Sequence, residues 1–423
     1  MNMEQLTLIG PLSQIIPMTG MSLKGPLSDD KLHVIENGGI LYADGLVKKV
    51  DVYKKLLSEV ESLNVHMIRL EGNHICMPGF VDSHTHICFG GSRARDYAMR
   101  NAGKTYLQIA AEGGGIWDTV IQTRKASQKE LIKGILKRAK QHLKNGVTTI
   151  EVKSGYGLTV EEELKMLRAI KEAGEQFPLN FVSTCLAAHM HPKDFTGDKT
   201  AYLTEISEQL FPILVKEKLT NRIDAFIESG AFSPTEISPY LSRAVEMGFD
   251  ITIHADQFSV GGSEVAVKFK AVSADHLEAS SAHEIELLGK SNVIATALPG
   301  ASLGLGCDFT PARKILDAGC ALAIASDHNP GSAPMGDLLT QSAVLGTMEK
   351  LTNAEVLAGI TYRAAAALKL SDRGQLKAGF LADFSLFHTT NYNEVLYNQG
   401  AFKPCMVFKD GKLIYDKHNS QER

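Results

Sequence analysis

The side chains able to do chemistry gather in a few short stretches. His84-Thr85-His86 follows a Pro78-Gly79 pair and a short apolar run. On a β-strand, residues i and i+2 point the same way, so His84 and His86 project together, as two nitrogen ligands of one metal ion do. Taken alone, such a pair is more often two surface histidines after a turn. What changes the balance is His254 in His254-Ala255-Asp256-Gln257 and Asp327 in Ser326-Asp327-His328-Asn329. Three imidazoles and one carboxylate suit a Zn²⁺ or Fe ion that keeps an open position for water. Such an ion lowers the pKa of that water toward neutrality and makes hydroxide the nucleophile. Asp327 can bind through one oxygen and take the water's proton through the other. His276, in Ala274-Asp275-His276, can orient the water or a substrate carbonyl.

A second group fits substrate recognition. Arg93 follows Phe89-Gly90-Gly91-Ser92 and suits a carboxylate, which a guanidinium grips with two parallel hydrogen bonds. Tyr106 precedes Glu112-Gly113-Gly114-Gly115. Tyr156 lies in Gly155-Tyr156-Gly157, where glycines let the backbone approach a ligand. The glycine run is no phosphate loop, because no Lys-Ser/Thr follows it.

These residues need a scaffold that brings distant stretches to one face. Apolar runs that read as buried strands occur near residues 80–84, 147–152, 181–187, 222–227, 250–254, 271–276, 293–298 and 322–326. Segments of helical period lie between them, among them 127–144, 160–175 and 237–247. Eight strands alternating with helices predict an α/β fold, a (β/α)8 TIM-like barrel. In that fold the catalytic groups sit at the carboxyl ends of the strands, where the stretches above fall. The fourth strand ends at Glu228 without a lysine, so no carboxylated lysine is on hand to bridge two metals. The site reads as mononuclear, with Lys153 supporting it electrostatically. Both ends of the chain have a different texture. Short β-like pieces at 6–10, 39–45 and 67–70 match others at 382–387 and 406–415, the last a hairpin about Asp410-Gly411. Residues 1–77 and 368–423 therefore read as one small composite β-sandwich domain flanking a catalytic barrel over 78–367.

The 423 residues are 44% hydrophobic and 22% charged, which is ordinary soluble globular composition. A net charge of −4 gives no reason to expect nucleic acid or an anionic membrane as partner. No apolar run approaches the ~20 residues that span a bilayer, and residues 1–5 do not read as a signal peptide. Six cysteines without a CxxC pair suggest reduced thiols and a cytoplasmic location.

The run Pro78-Gly79-Phe80-Val81-Asp82-Ser83-His84-Thr85-His86 resembles the first-strand motif of the amidohydrolase superfamily, metal-dependent barrels of this type. More specific are Phe89-Gly90-Gly91-Ser92-Arg93, Glu112-Gly113-Gly114-Gly115-Ile116, Glu151-Val152-Lys153-Ser154-Gly155-Tyr156-Gly157 and Asp327-His328-Asn329-Pro330-Gly331-Ser332. Together they resemble the imidazolonepropionase family over nearly the whole chain. The resemblance implies hydrolysis of 4-imidazolone-5-propanoate, a cyclic amide bearing a carboxylate, to N-formimidoyl-L-glutamate in histidine degradation. It implies one Zn²⁺ or Fe ion per subunit on His84, His86, His254 and Asp327, and a homodimer. It implies substrate contacts at Arg93, Tyr106, Tyr156, His189, Gln257, Asn329, Gly331 and Ser332. Gln257 departs from the family pattern, since many members carry a proton-shuttling glutamate there. Glutamine cannot ionise, so Gln257 orients groups in catalysis while Asp327 and His276 are left to move protons. His328 stands where apolar residues are usual and reads as lining the pocket.

A superfamily deaminase acting on a nucleobase-like ring shares the ligand set. It has no need of Arg93 and requires a glutamate at position 257. A barrel that had lost catalysis is expected to have lost metal ligands, and all four are present.

Overall fold

The structure is a computed structural model. It describes residues 5–418, without the side chains of residues 106, 107 and 110. Five strands come first: β1 (Leu6–Ile15), β2 (Ile35–Ala43), β3 (Leu46–Val52), β4 (Val65–Arg69) and β5 (Ile75–Pro78). β2 and β3 form a hairpin through Asp44 and Gly45, both at positive φ, as the tight turn of a twisted hairpin requires. β1 lies between β2 and β5 and also pairs with β4.

The chain then enters the barrel through β6 (Phe80–Asp82), β7 (Val147–Lys153), β8 (Asn180–Ala188), β9 (Arg222–Ile227), β10 (Asp250–Ala255), β11 (Ser273–His276), β12 (Ile294–Ala297) and β13 (Ala321–Ile324). They are parallel and lie in chain order, each followed by helical cover. This is the expected barrel. Closure between β13 and β6 is made beyond the strand ends. Thr85 bridges His328, Asp327 N–H donates to His84 O at 3.0 Å, and His86 N–H to His328 O at 3.0 Å. The first strand thus ends at Asp82, two residues short of expectation, because His84–His86 trades a regular ladder for this seam.

The chain ends return to the first sheet as β14 (Phe384–Phe387), β15 (Met406–Lys409) and β16 (Lys412–Asp416), with β14 on β5. Ile9, Leu12, Ile40, Phe384 and Phe408 fill that sheet's core. β5, which has no counterpart among the strands expected from sequence, runs through Gly79 straight into β6. A Cβ on Gly79 would collide with the Thr148 side chain, so the hand-over between the sheets demands glycine.

Local chemistry explains the elements. β7, Val-Thr-Thr-Ile-Glu-Val-Lys, is buried along its whole length and rich in β-branched residues, as a strand covered on both faces should be. Helix Gln128–Lys144 starts at a reciprocal Ser127–Glu130 cap and buries Leu131, Ile135, Ala139 and Leu143 along one stripe. Helix Pro234–Glu246 begins three residues before the expected 237, because Ser233 caps it with Glu236 and Pro234 fits the first turn. Helix Tyr362–Ala367 packs its alanines under β6, β12 and β13 and plugs the barrel floor with Val81, Ile294 and Ala321.

Candidate active site

At the carboxyl ends of the strands, three imidazoles point at one place. His84 Nε2 and His254 Nε2 each approach the same ring nitrogen, His86 Nε2, to 3.2 Å. Asp327 Oδ1 is 3.7 Å from His84 Nε2 and 3.5 Å from His86 Nε2. All four side chains are buried.

The other ring nitrogens fix the tautomers. His84 Nδ1 lies 2.7 Å from Asp275 Oδ2, and His254 Nδ1 lies 3.0 Å from Asp224 Oδ2. The His254 contact is a close ion-pair approach, bent away from a straight hydrogen bond. Each carboxylate calls for a proton on Nδ1, which leaves Nε2 of His84 and His254 as bare lone pairs. Two bare lone pairs face one nitrogen of His86, and a single proton can satisfy only one of them. Burial and the neighbouring charges hold His84 and His86 well below the usual histidine range, so protonation does not resolve the crowding. A cation does. Nitrogens bound tetrahedrally at about 2.0–2.1 Å from a metal lie about 3.3 Å apart. The donor set therefore fits a metal ion.

Below this layer runs a buried ion network. Lys153 Nζ lies 2.7 Å from Glu151 Oε1 and 2.8 Å from Asp224 Oδ2, the oxygen that also faces His254. Burial alone would lower Lys153, but the carboxylates of Asp224, Glu151 and Asp275 overcome it and raise its pKa. Glu151 Oε2 in turn accepts the Thr85 N–H between the two metal-facing histidines at 3.1 Å. Asp224 and Asp275 were assigned no role from sequence. Their signal is a carboxylate inside a short buried strand, where no unpaired charge can be buried.

Around the cluster stand further groups. His189 Nδ1 donates to Gly155 O at 2.9 Å, and its ring stacks 5.7 Å from His86. Burial and the nearby His254 depress it to about 4, so it is a neutral imidazole. Tyr156 lies 6.0 Å from the His86 ring, and burial pushes its hydroxyl pKa up. The Tyr156 loop is held by Glu163, which accepts N–H groups from Gly155, Gly157 and Leu158 at 2.7–3.0 Å. His276 lies 5.3 Å from the His254 ring and 5.9 Å from that of His84, with Nδ1 3.4 Å from Glu278 Oε1.

Arg93 is buried, with Nε–H donated to Asp96, and its Nη1 lies against Gly331, where a Cβ would stand only 3.0 Å away. Asp96 also accepts the Gly115 N–H at 2.8 Å, which ties the arginine to the glycine-rich turn. Asn329 is fully engaged inside its own loop. Its Nδ2, with two N–H groups, lies 2.8 Å from each of Asp327 O, Asp327 Oδ2 and Ser332 Oγ, and its Oδ1 accepts the N–H of Gly331 and Ser332. It shapes the loop that holds Asp327. Tyr106 begins helix Tyr106–Ala111, and its side chain lies outside the described residues.

Gln257 and His328 stand apart from the cluster. Gln257 stands half-buried, and among the described residues its amide meets no hydrogen-bond partner. Its loop is held instead by Glu228, which accepts the Phe258 and Ser259 N–H groups at 2.8 and 3.2 Å. His328 turns its ring away from the cluster. Its Nδ1 lies 2.9 Å from His142 Nε2, and His142 Nδ1 lies 3.3 Å from Asp82 Oδ2. The ring is buried and pairs with His142 of helix Gln128–Lys144.

The model of the amidohydrolase family matches residues 75–414. An imidazolonepropionase of Symbiobacterium thermophilum is 37% identical over 425 residues, covering 98% of this chain and 99% of that protein. One of Fusobacterium nucleatum is 39% identical, covering 92% and 94%. Among solved structures, a triazine hydrolase variant superposes with a TM-score of 0.72 at 16% identity, over 98% of this chain and 95% of that one. The atrazine chlorohydrolase of Arthrobacter aurescens, complexed with zinc, gives 0.70 at 15% identity, over 97% and 95%. At such identity these structures speak for the fold.

Proposed function

The chain belongs to the amidohydrolase family and, within it, to the imidazolonepropionases, and from that premise we propose how its own residues carry the reaction. The substrate is 4-imidazolone-5-propanoate, a small cyclic amide with a propionate arm, and hydrolysis yields N-formimidoyl-L-glutamate. The observation that carries the mechanism is the convergence of His84, His86 and His254 Nε2 with Asp327 Oδ1.

His84, His86, His254 and Asp327 would hold one Zn²⁺ or Fe ion. When bound, the ion supplies Lewis acidity, lowering the pKa of water toward neutrality. Asp275 and Asp224 keep the Nδ1 protons in place, so that His84 and His254 present lone pairs. Asp327 Oδ2, steadied by Asn329 and Ser332, receives a proton from the attacking water. Water oxygen adds to the ring carbonyl carbon and the C–N bond breaks. The leaving nitrogen takes one water proton from Asp327, and the other goes to solvent as the new carboxylic acid ionises. His276 orients the attacking water, accepting one of its O–H groups. Arg93 grips the propionate, with Tyr156 and His189 against the ring and Gly331 giving the guanidinium room. Gln257 is a candidate ring contact from its half-buried place at the rim. It has no proton to give, and this also weighs against a deaminase that needs a glutamate there.

The same reading includes a homodimer, which light scattering should show at about twice 45.9 kDa, and a cytoplasmic location, in keeping with six free cysteines. The test is a spectrophotometric assay of imidazolone propanoate with purified protein, alongside metal analysis. Stoichiometric metal with turnover is expected. Metal without turnover overturns the substrate, and turnover undiminished by chelation overturns the metal role.

A further inference from the structure

We propose that Glu278 is the positioning residue of His276, accepting its Nδ1–H so that the bare Nε2 is presented as an acceptor to the attacking water. The proposal rests on the ring-opening reading above.

Three histidines of this site are set by the same device. His84 is held through Nδ1 by Asp275, His254 by Asp224, and His189 by the Gly155 carbonyl. In each case the acceptor on Nδ1 turns the opposite nitrogen into the working one. His276 packs against the His84 and His254 rings, and the carboxylate beside its Nδ1 is Glu278, 3.4 Å away. Glu278 is poorly exposed, its side chain 5% accessible, and its second oxygen, Oε2, is buried with no hydrogen-bond partner among the described residues. A carboxylate is not left half-satisfied at a barrel mouth without some return. Its orientation is enforced by the backbone. His276 and Leu277 are consecutive non-glycine residues at positive φ, 90° and 70°. Thr310 Oγ–H clamps the His276 carbonyl at 2.5 Å, and Leu277 and Ala279 donate to Ala255 O and Asp256 O. Strain of this kind persists where the surroundings over-determine it, which is characteristic of functional sites. Gln257, on the neighbouring strand end, offers no carboxylate for this purpose, so among the described residues Glu278 is the acid bonded to His276.

The test is a double-mutant cycle on the metal-loaded enzyme with imidazolone propanoate. Glu278→Ala is expected to lower kcat at least about tenfold with KM within about twofold and metal content unchanged. Glu278→Gln keeps an acceptor oxygen for the Nδ1 proton and should recover to within about threefold of wild type. In a His276→Ala background, Glu278→Ala should cost nothing further. An undiminished kcat in Glu278→Ala overturns the proposal, as does an equal loss in both backgrounds. So does a Glu278→Gln variant as damaged as Glu278→Ala, which would assign the effect to charge. Should wild type itself fail to turn over imidazolone propanoate, the substrate reading falls and takes this proposal with it, whereas failure in the variants alone overturns only the role of Glu278.

Discussion

At the scale of single residues, the site separates into groups that hold metal and groups that hold substrate, and the two should fail differently. His254→Ala removes one of the three converging Nε2 atoms. Loss of metal and at least about 10³-fold in kcat is expected. Stoichiometric metal with near-normal turnover in that variant would show that the ligand set is wrong. Arg93→Ala leaves the metal alone and removes a shielded, charged grip on the propionate, worth about 2–4 kcal/mol. Its signature is a large rise in KM. Lysine should rescue only in part, because it offers a point charge where arginine offers a fork. An unchanged kcat/KM would sink the assignment. The metal-facing residues were readable because their types and i, i+2 spacing carry the chemistry with them. Asp224 and Asp275 were not assigned, because a carboxylate inside a strand announces a buried partner without saying which. That partner, His254 or His84, comes from a neighbouring strand or across the barrel.

At the scale of elements, the barrel was legible strand by strand, since fully buried parallel strands read as apolar runs with turns between. The loops were less so. The Tyr156 loop depends on Glu163, three residues into helix Val160–Gln176, whose carboxylate collects three backbone N–H groups. From sequence that glutamate looks like an ordinary first-turn acid. Glu163→Ala should leave three buried donors unpaired and free the Gly155 carbonyl that orients His189. Raised KM, a fall in kcat of about tenfold and faster hydrogen exchange at residues 155–158 are expected, with metal content unchanged. Protection of those amides at the wild-type level would show that the loop does not need Glu163. The helix start at Pro234 and the strand β5 were missed for a different reason. Each is set by a cap or a pairing partner distant from the apolar signal, Ser233 with Glu236 in one case and β14 in the other.

At the scale of the whole molecule, the two sheets meet where β14 pairs with β5 and Gly79 passes the chain to β6. Asp383 stands at that junction. Its carbonyl accepts the Gly79 N–H at 2.9 Å, and its carboxylate accepts the Asp410 N–H at 2.8 Å and faces Lys409 at 3.4 Å. Burial pushes its carboxyl up to about 6, with Lys409 only partly opposing. An unfolded aspartate titrates near 3.9. The folded state therefore binds the proton more tightly, and the stability this gives is complete below about pH 4 and is lost as pH rises through about 6. The gap between the folded and unfolded carboxyl corresponds to about 3 kcal/mol as an order of magnitude. Asp383→Asn is neutral at every pH and keeps an oxygen for the Asp410 N–H, while Lys409 retains Asp410 Oδ1 at 2.6 Å. The variant should match or fall slightly below wild type at pH 4.5 and gain on it steadily up to pH 7.5. Differential scanning calorimetry of both proteins across that range reads the difference in Tm directly and cancels the groups they share. A Tm difference that stays flat from pH 4.5 to 7.5 would mean that Asp383 is ionised in the folded protein throughout, held by Lys409, and that the junction contributes nothing to the pH dependence of stability.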